Sequence, residues 1–221
     1  MTDGLRRPWH EVLAFWFPEG DALAVDPEAH RRHWAWRMHG GADGEIAARF
    51  ADLTERAARG GLDAWGGLDA WAAEAAGRLA LIVVLDQFPR SLWRGTPRAW
   101  AQDGAALALA LEGLENGHYA ALSAPWFRIA FTQPLGHAEG PEHLERVDNL
   151  IRLREEVAAD APAHLRPIYQ GLVAQAGKVR RVIAAFGRHP HRNRILARPS
   201  TPAEAAYIAG GDFPHDTAFR D

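Results

Sequence analysis

Apolar residues recur along this chain at intervals of three and four, the spacing that sets one face of a helix. Val12, Phe15 and Trp16 make one such group, and Ile46, Phe50 and Leu53 a second. Leu144, Val147, Leu150, Ile151 and Leu153 make a third. Asp26-Pro27, Thr96-Pro97 and Thr201-Pro202 each place a capping side chain before a proline at the first helical position. Glu204, three residues after Thr201, completes a capping box. Gly60, Gly117, Gly187 and Gly210 fall where helices should stop. The pattern predicts helices near 8–17, 27–38, 44–59, 68–76, 78–88, 97–116, 123–131, 141–158, 163–186 and 202–209. Leu79 to Leu85 has the composition of a buried strand, but the chain offers it no partner strand, so it reads as a buried helix. The expectation is an all-α fold of nine or ten short helices, an array of antiparallel pairs joined by short loops. No linker rich in Pro, Gly or Ser divides it, and 1–221 is expected to form a single domain.

Gly60-Gly-Leu-Asp-Ala-Trp65 is followed at once by an identical copy, Gly66 to Trp71. Two copies are too few for a solenoid. A local duplication that lengthens a surface turn accounts for them, with Leu68 and Trp71 of the second copy carrying the packing.

Composition narrows the class. A chain of 221 residues, 48% hydrophobic and 24% charged, is that of a soluble globular protein, not of a disordered, collagen-like or coiled-coil one. Its longest uncharged apolar run, Leu79 to Leu85, is far short of the roughly 20 residues that cross a bilayer. Val12 to Phe17, behind Arg6 and Arg7, is too short for a secretory signal. There is no cysteine, which removes disulfides, a thiolate nucleophile and thiolate-bound metal. A cytoplasmic protein with no membrane partner is expected. Charge is uneven: Ala161 to Ala203 holds eight basic residues and no acid, within a chain of net charge -3. Such a segment faces an anionic partner or pairs with acidic helices of its own chain, and the second is the simpler expectation. The net negative charge and the absence of any recognised module argue against nucleic acid as a partner.

Three segments mix polar and apolar residues beyond what a core requires. In Leu85-Asp-Gln-Phe-Pro-Arg-Ser-Leu-Trp93, Asp86 and Gln87 end an apolar helix at Pro89, with Arg90 in the turn beyond. Asp86 would act as a base or orienter and Arg90 as an anion clamp, or Asp86 would serve as a cap or ion-pair partner. Gln133 to Gly140 reads as a loop fixed by glycine and proline that presents His137 two residues before Glu139, a poised acid or base. Phe186 to Ile195 crowds Arg188, His189, His191, Arg192, Asn193 and Arg194 around Pro190. It offers forked donors to a carboxylate or phosphate, unless Arg188 and Arg192 simply neutralise Asp86 and Glu139.

In that order the segments resemble the bacterial family called domain of unknown function 924. The likeness rests on Ala14-Phe-Trp-Phe17, on Leu81 to Arg90, on Arg94-Gly-Thr-Pro97 and on Asp103. It continues through Pro134 to Glu139, similar to the family's Pro-Leu-x-His-Ser-Glu, through Phe186 to Asn193, and through Ser200 to Glu204. The resemblance implies a fold similar to the tetratricopeptide-like α-helical superfamily and implies no reaction. Two residues depart from it: Ala138 stands in place of a serine, and Val179 where a histidine is expected. The functional expectation is a pocket for a small anionic molecule. Asp86, His137 and His191 would be catalytic, and Gln87, Arg90, Glu139, Arg188, Arg192 and Asn193 would bind the ligand. The alternative is an interaction scaffold that binds a protein or peptide without catalysis. No cofactor motif is present. A metal site from His137, Glu139, His189 and His191 is a side possibility within the pocket reading.

Overall fold

The protein, as a computed structural model, is described over residues 9–60 and 67–214. The first copy of the duplicated hexapeptide therefore lies almost wholly outside the described residues. Every regular element among the described residues is helical, with no strand. In order they form α1 (Trp9–Trp16), α2 (Pro27–Met38), α3 (Asp43–Ala58), α4 (Gly67–Ala72), α5 (Ala75–Ile82), a π turn (Val83–Gln87) and α6 (Phe88–Leu92). A 3-10 turn (Pro97–Trp100), α7 (Asp103–Glu115), α8 (Pro125–His137), α9 (His143–Asp160) and α10 (Arg166–Phe186) follow. A second 3-10 turn (Pro190–Arg192) and α11 (Pro202–Gly210) complete the described chain.

The caps work largely as the sequence predicts. Asp26 accepts from the Ala29 amide at 2.8 Å, and Thr201 and Glu204 close a reciprocal capping box. Gly187 takes φ +68° at the end of α10, a conformation that costs glycine little. At α11 the same role passes one residue along, from Gly210 to Gly211. Thr96 does not cap: its hydroxyl donates back to the Trp93 carbonyl at 2.8 Å. The expected helix 97–116 accordingly opens as a 3-10 turn and restarts at Asp103.

Two prolines fail to stop their helices. Pro89 lies one residue past a π turn, where the i→i−4 ladder is already broken and the Phe88 amide reaches back to the Val83 carbonyl. The chain continues to Leu92, so α5, the π turn and α6 form one rod rather than a helix ending near 88. Pro134 lies inside α8, which runs to His137. Thr132 bonds the Arg128 and Ile129 carbonyls at 3.0 and 3.2 Å in the turn before it. Nine residues of α8 are buried, and that packing overrides the local cost of one proline. His137 is therefore the last residue of a helix, not part of a loop.

The rod is central. Its α5 part packs on α1, α4, α7 and α8, its π turn touches α1, α3, α7 and α8, and α6 leans on α3. Leu79 through Val84 are fully buried in it. Downstream, α7, α8, α9 and α10 pack each on the next, as short connections require. Aromatic residues join the opening helices to the rod: Phe15 meets Phe50 at 5.0 Å and Phe88 at 6.2 Å between ring centroids. Trp71, of the second hexapeptide copy, is fully buried and meets Trp9 edge-on at 5.7 Å. Gly77 passes so near the end of α4 that a Cβ there would lie 2.3 Å from the Trp71 carbonyl oxygen. Among the described residues no helix is long and apolar enough to cross a membrane.

The basic segment after Ala161 is largely answered from within the chain. Arg180 pairs with Asp148, Arg188 with Glu204, Arg192 with Asp103 and Arg198 with Glu139.

Candidate functional site

The π turn widens the rod where Asp86 and Gln87 lie, and such single-turn widenings recur at functional sites. The Asp86 side chain is fully buried. His137, arriving at the end of α8, sets Nδ1 at 2.9 and 3.0 Å from the two carboxylate oxygens. Gln87 also donates to that carboxylate, and Arg90 lies 3.3 Å from Oδ1 and donates to the Asp86 carbonyl. Burial alone would raise the Asp86 pKa, but Arg90 and His137 outweigh it and hold the group ionised, below the usual carboxylate range. Burial pushes the His137 pKa below 6.5 against the pull of Asp86, so the ring is neutral near pH 7. A neutral ring that donates Nδ1–H to Asp86 keeps a lone pair on Nε2.

His137 lines a cavity of about 540 Å³. The helices supply its wall in pairs four residues apart, one turn on a single face. These are Gln87 and Ser91 from the rod, Gln133 and His137 from α8, Leu150 and Arg154 from α9, and Gln175 and Val179 from α10. Arg37 from α2, Trp100, His191 and Arg192 close it. The lining holds five arginines (Arg37, Arg90, Arg94, Arg154, Arg192), four histidines (His39, His137, His189, His191) and no Asp or Glu.

Behind that surface lie carboxylates. Asp103 binds Arg90 Nη2 at 2.9 Å and Arg192 Nη1 at 3.1 Å, and its pKa is raised by burial and by Asp86 nearby. Asp86 and Asp103 thus balance the charges of Arg90 and Arg192. The Arg192 guanidinium stacks over Trp100 at 5.1 Å, and burial, with Arg90 nearby, lowers its pKa to about 10. A second buried carboxylate, Glu19, binds Arg37, His30 and His33. Its pKa falls to about 2, because these contacts overcome burial.

The site residues expected from sequence divide in two. Asp86, Gln87, Arg90, His137, His191 and Arg192 lie at the cavity or directly behind it. Glu139, Arg188 and Asn193 do not line it. Glu139 accepts from the His189 amide at 2.8 Å and pairs with Arg198. Arg188 forks onto Glu204 at 2.7 and 3.0 Å. Asn193 is fully buried, donating to Ser200 at 3.0 Å and accepting from Arg198 at 3.1 Å. These three shape the turn that carries His191 and Arg192. The ion-pair network imagined for Arg188 and Arg192 exists with other partners, since neither meets Asp86 or Glu139. No three metal-ligating side chains converge among the described residues. His137, Glu139 and His189 instead direct their polar atoms to Asp86, Arg198 and the Gly136 carbonyl.

Sequence reasoning missed His143 and Arg154, and it read His189 as a candidate metal ligand rather than a support. His143 and His189 both donate Nε2–H to the Gly136 carbonyl, at 3.2 and 2.9 Å, and so fix the turn of α8 that carries His137. Arg154 also went unremarked, although its spacing from Val147, Leu150 and Val157 puts a cation on the apolar face of α9. That misfit was the available signal. Val179, one of the two departures from the family pattern, lines the cavity, and Ala138 is buried at the end of α8. Large apolar side chains are exposed only at Leu23, Leu111 and Leu144 among the described residues, on three separate segments, so no apolar docking face accompanies the cavity.

Residues 12–212 match the model of a family described as a bacterial protein of unknown function (DUF924). Among solved structures, the chain is similar to a protein of unknown function from Agrobacterium tumefaciens. The two are 30% identical with a TM-score of 0.64 over 92% of this chain and 97% of that one. No functionally curated protein matches.

Proposed function

The chain belongs to the DUF924 family of bacterial proteins of unknown function, and we propose that it is an acid–base enzyme for a small anionic molecule, with His137 as its base. The observation that carries this reading is the Asp86–His137 pair, whose remaining ring nitrogen is left free on a residue that lines a carboxylate-free, arginine-lined cavity. Ordinary packing has no use for a buried carboxylate held against a neutral histidine at the wall of such a space.

In this reading His137 Nε2 takes a proton from the substrate, or from a water that attacks it. The imidazolium that forms is stabilised by the ionised Asp86 through the Nδ1–H bond, and the proton later returns to the product. Gln87, Arg90 and Arg192 supply donors for oxygens on which charge develops. Asp86 is a positioning residue here, acting through His137. His191 lines the same cavity, and its place beside His189 and Phe213 suits it to the rim. A tetratricopeptide-like scaffold function has no comparable support, since the described residues expose large apolar side chains only at Leu23, Leu111 and Leu144, on separate segments.

The test is a thermal-shift screen of phosphorylated and carboxylated metabolites, followed by NMR detection of product with each hit. Turnover by wild type that falls about 10²–10⁴-fold in His137→Gln, with binding retained, is the expected result. Conversion at the wild-type rate by the folded variant would overturn the assignment.

A further inference from the structure

Four described arginines are buried: Arg37, Arg78, Arg154 and Arg192. Arg37 has Glu19, Arg78 has Glu112 and Arg192 has Asp103. Arg154 is answered by neutral groups alone. Its Nη2 donates to Gln133 Oε1 at 2.8 Å, and its Nη1 to the Leu172 carbonyl at 2.8 Å and to Gln175 Oε1 at 3.4 Å. Its Nε, also buried, has no hydrogen-bond partner. The residue is 3% exposed and lines the cavity. Its pKa drops to about 10 through burial, with no carboxylate near enough to oppose the shift.

Neutral acceptors satisfy hydrogen bonds but leave the charge uncompensated, and a buried charge without a counter-ion is among the costlier features a fold can keep. Methionine would fill the same space on the apolar face of α9 without that cost. We infer that Arg154, with Gln133 and Gln175 holding its guanidinium in place, is the subsite for the anionic group of the ligand, a carboxylate or a phosphate. Arg90 and Arg192 are already neutralised by Asp86 and Asp103, so the uncompensated positive charge of this wall sits at Arg154 and not at the arginine-rich turn.

The subsite also fixes a distance. Gln133, which holds Arg154, lies one turn before His137 on the same face of α8, with the two Cβ atoms about 6 Å apart. This half of the inference rests on His137 being the base. The substrate then carries its carboxylate or phosphate a few bonds from the atom that loses a proton. The two halves are separable, because anion capture by Arg154 does not require His137 to be basic.

The experiment is calorimetric titration of wild type, Arg154→Met and His137→Gln with inorganic phosphate and with malonate at constant ionic strength. It is joined to anomalous difference maps from wild-type crystals soaked in tungstate. Binding in wild type and His137→Gln that weakens at least tenfold in Arg154→Met, with tungstate on the Arg154 guanidinium, is the expected result. Whichever of phosphate and malonate binds more tightly identifies the ligand's acid. The apo Arg154→Met protein should melt at or above the wild-type temperature, since a lone buried charge has been removed. Undiminished binding by Arg154→Met, or tungstate on Arg90 and Arg192 alone, would overturn the subsite while leaving His137 as base untouched. Should Arg154→Met fail to fold, the tungstate position decides alone. Absence of anion binding by wild type, with no tungstate in the cavity, would overturn the anionic-ligand reading together with the subsite.

Discussion

Asp86→Asn keeps the shape of the side chain and removes its charge, so it isolates what that charge does. The carboxylate is fully buried and holds three partners: His137 at 2.9 Å, Arg90 at 3.3 Å and Gln87. Removing one member of a buried ion pair costs about 3–5 kcal/mol, because the other charge is left uncompensated. Here Arg90 keeps Asp103 at 2.9 Å, which places the loss near the lower bound, about 3 kcal/mol. For a protein of this size that lowers the melting temperature by about 6–12 °C. The assay is urea denaturation of wild type, Asp86→Asn, Arg90→Met and the double variant, read as a cycle. With both partners gone nothing buried is unpaired, so the double variant should be more stable than the summed single losses by at least about 1 kcal/mol. Additive losses, or a loss below about 1 kcal/mol in Asp86→Asn, would refute the claim that the ion pair is coupled.

Other outcomes follow from the same geometry. The His137, His143 and His189 pKa values are all lowered, burial being the largest cause in each. The unfolded chain takes up protons at these residues near pH 6.5, while the folded chain does so only further down. Their contribution is therefore complete above 6.5 and is lost as pH falls, by up to about 1.4 kcal/mol per pH unit for each histidine. Denaturation curves between pH 7 and 5 measure it, and a flat profile would contradict it. The acidic limb of turnover should have its midpoint below 6.5, with activity level from pH 7 to 8 in a pH–rate profile. Arg188→Ala should leave anion affinity at the wild-type value by calorimetry, because its guanidinium is occupied by Glu204 away from the cavity. Glu139→Gln should raise hydrogen exchange at the His189 amide at least tenfold, since Glu139 accepts from that amide and anchors Arg198 beside it.

The helices were legible because their signals are local. Asp26, Thr201 and Gly187 cap or close helices whatever the rest of the fold does, and α2 runs over the span the pattern predicts. Pro89 and Pro134 misled for the complementary reason. A proline marks an intrinsic cost, and only tertiary structure shows whether a π turn or dense packing offsets it. The same limit applies to the site. Asp86 stood out as a polar residue on an apolar helix and His137 as a histidine two residues before a carboxylate in an expected loop, but their contact joins positions fifty-one apart in the chain. The crowded turn at 188–194 showed that cations gather there, but not which ones face the cavity. Arg188 turns away to Glu204 and Arg192 turns in to Asp103, a division set by α11 and α7 rather than by the turn's own residues. Arg154 was hidden because a lone arginine on a long helix usually faces solvent, and only its position among Val147, Leu150 and Val157 marks it as buried.

The central claim is that His137 is a neutral base, held by Asp86 through Nδ1 and open to the cavity at Nε2. Long-range nitrogen–proton NMR correlation on protein labelled with 15N at histidine tests it directly at pH 7. The account predicts a His137 ring protonated on Nδ1 and bare on Nε2, shifting toward the opposite tautomer in Asp86→Asn. A ring protonated on Nε2, or doubly protonated at that pH, would contradict it.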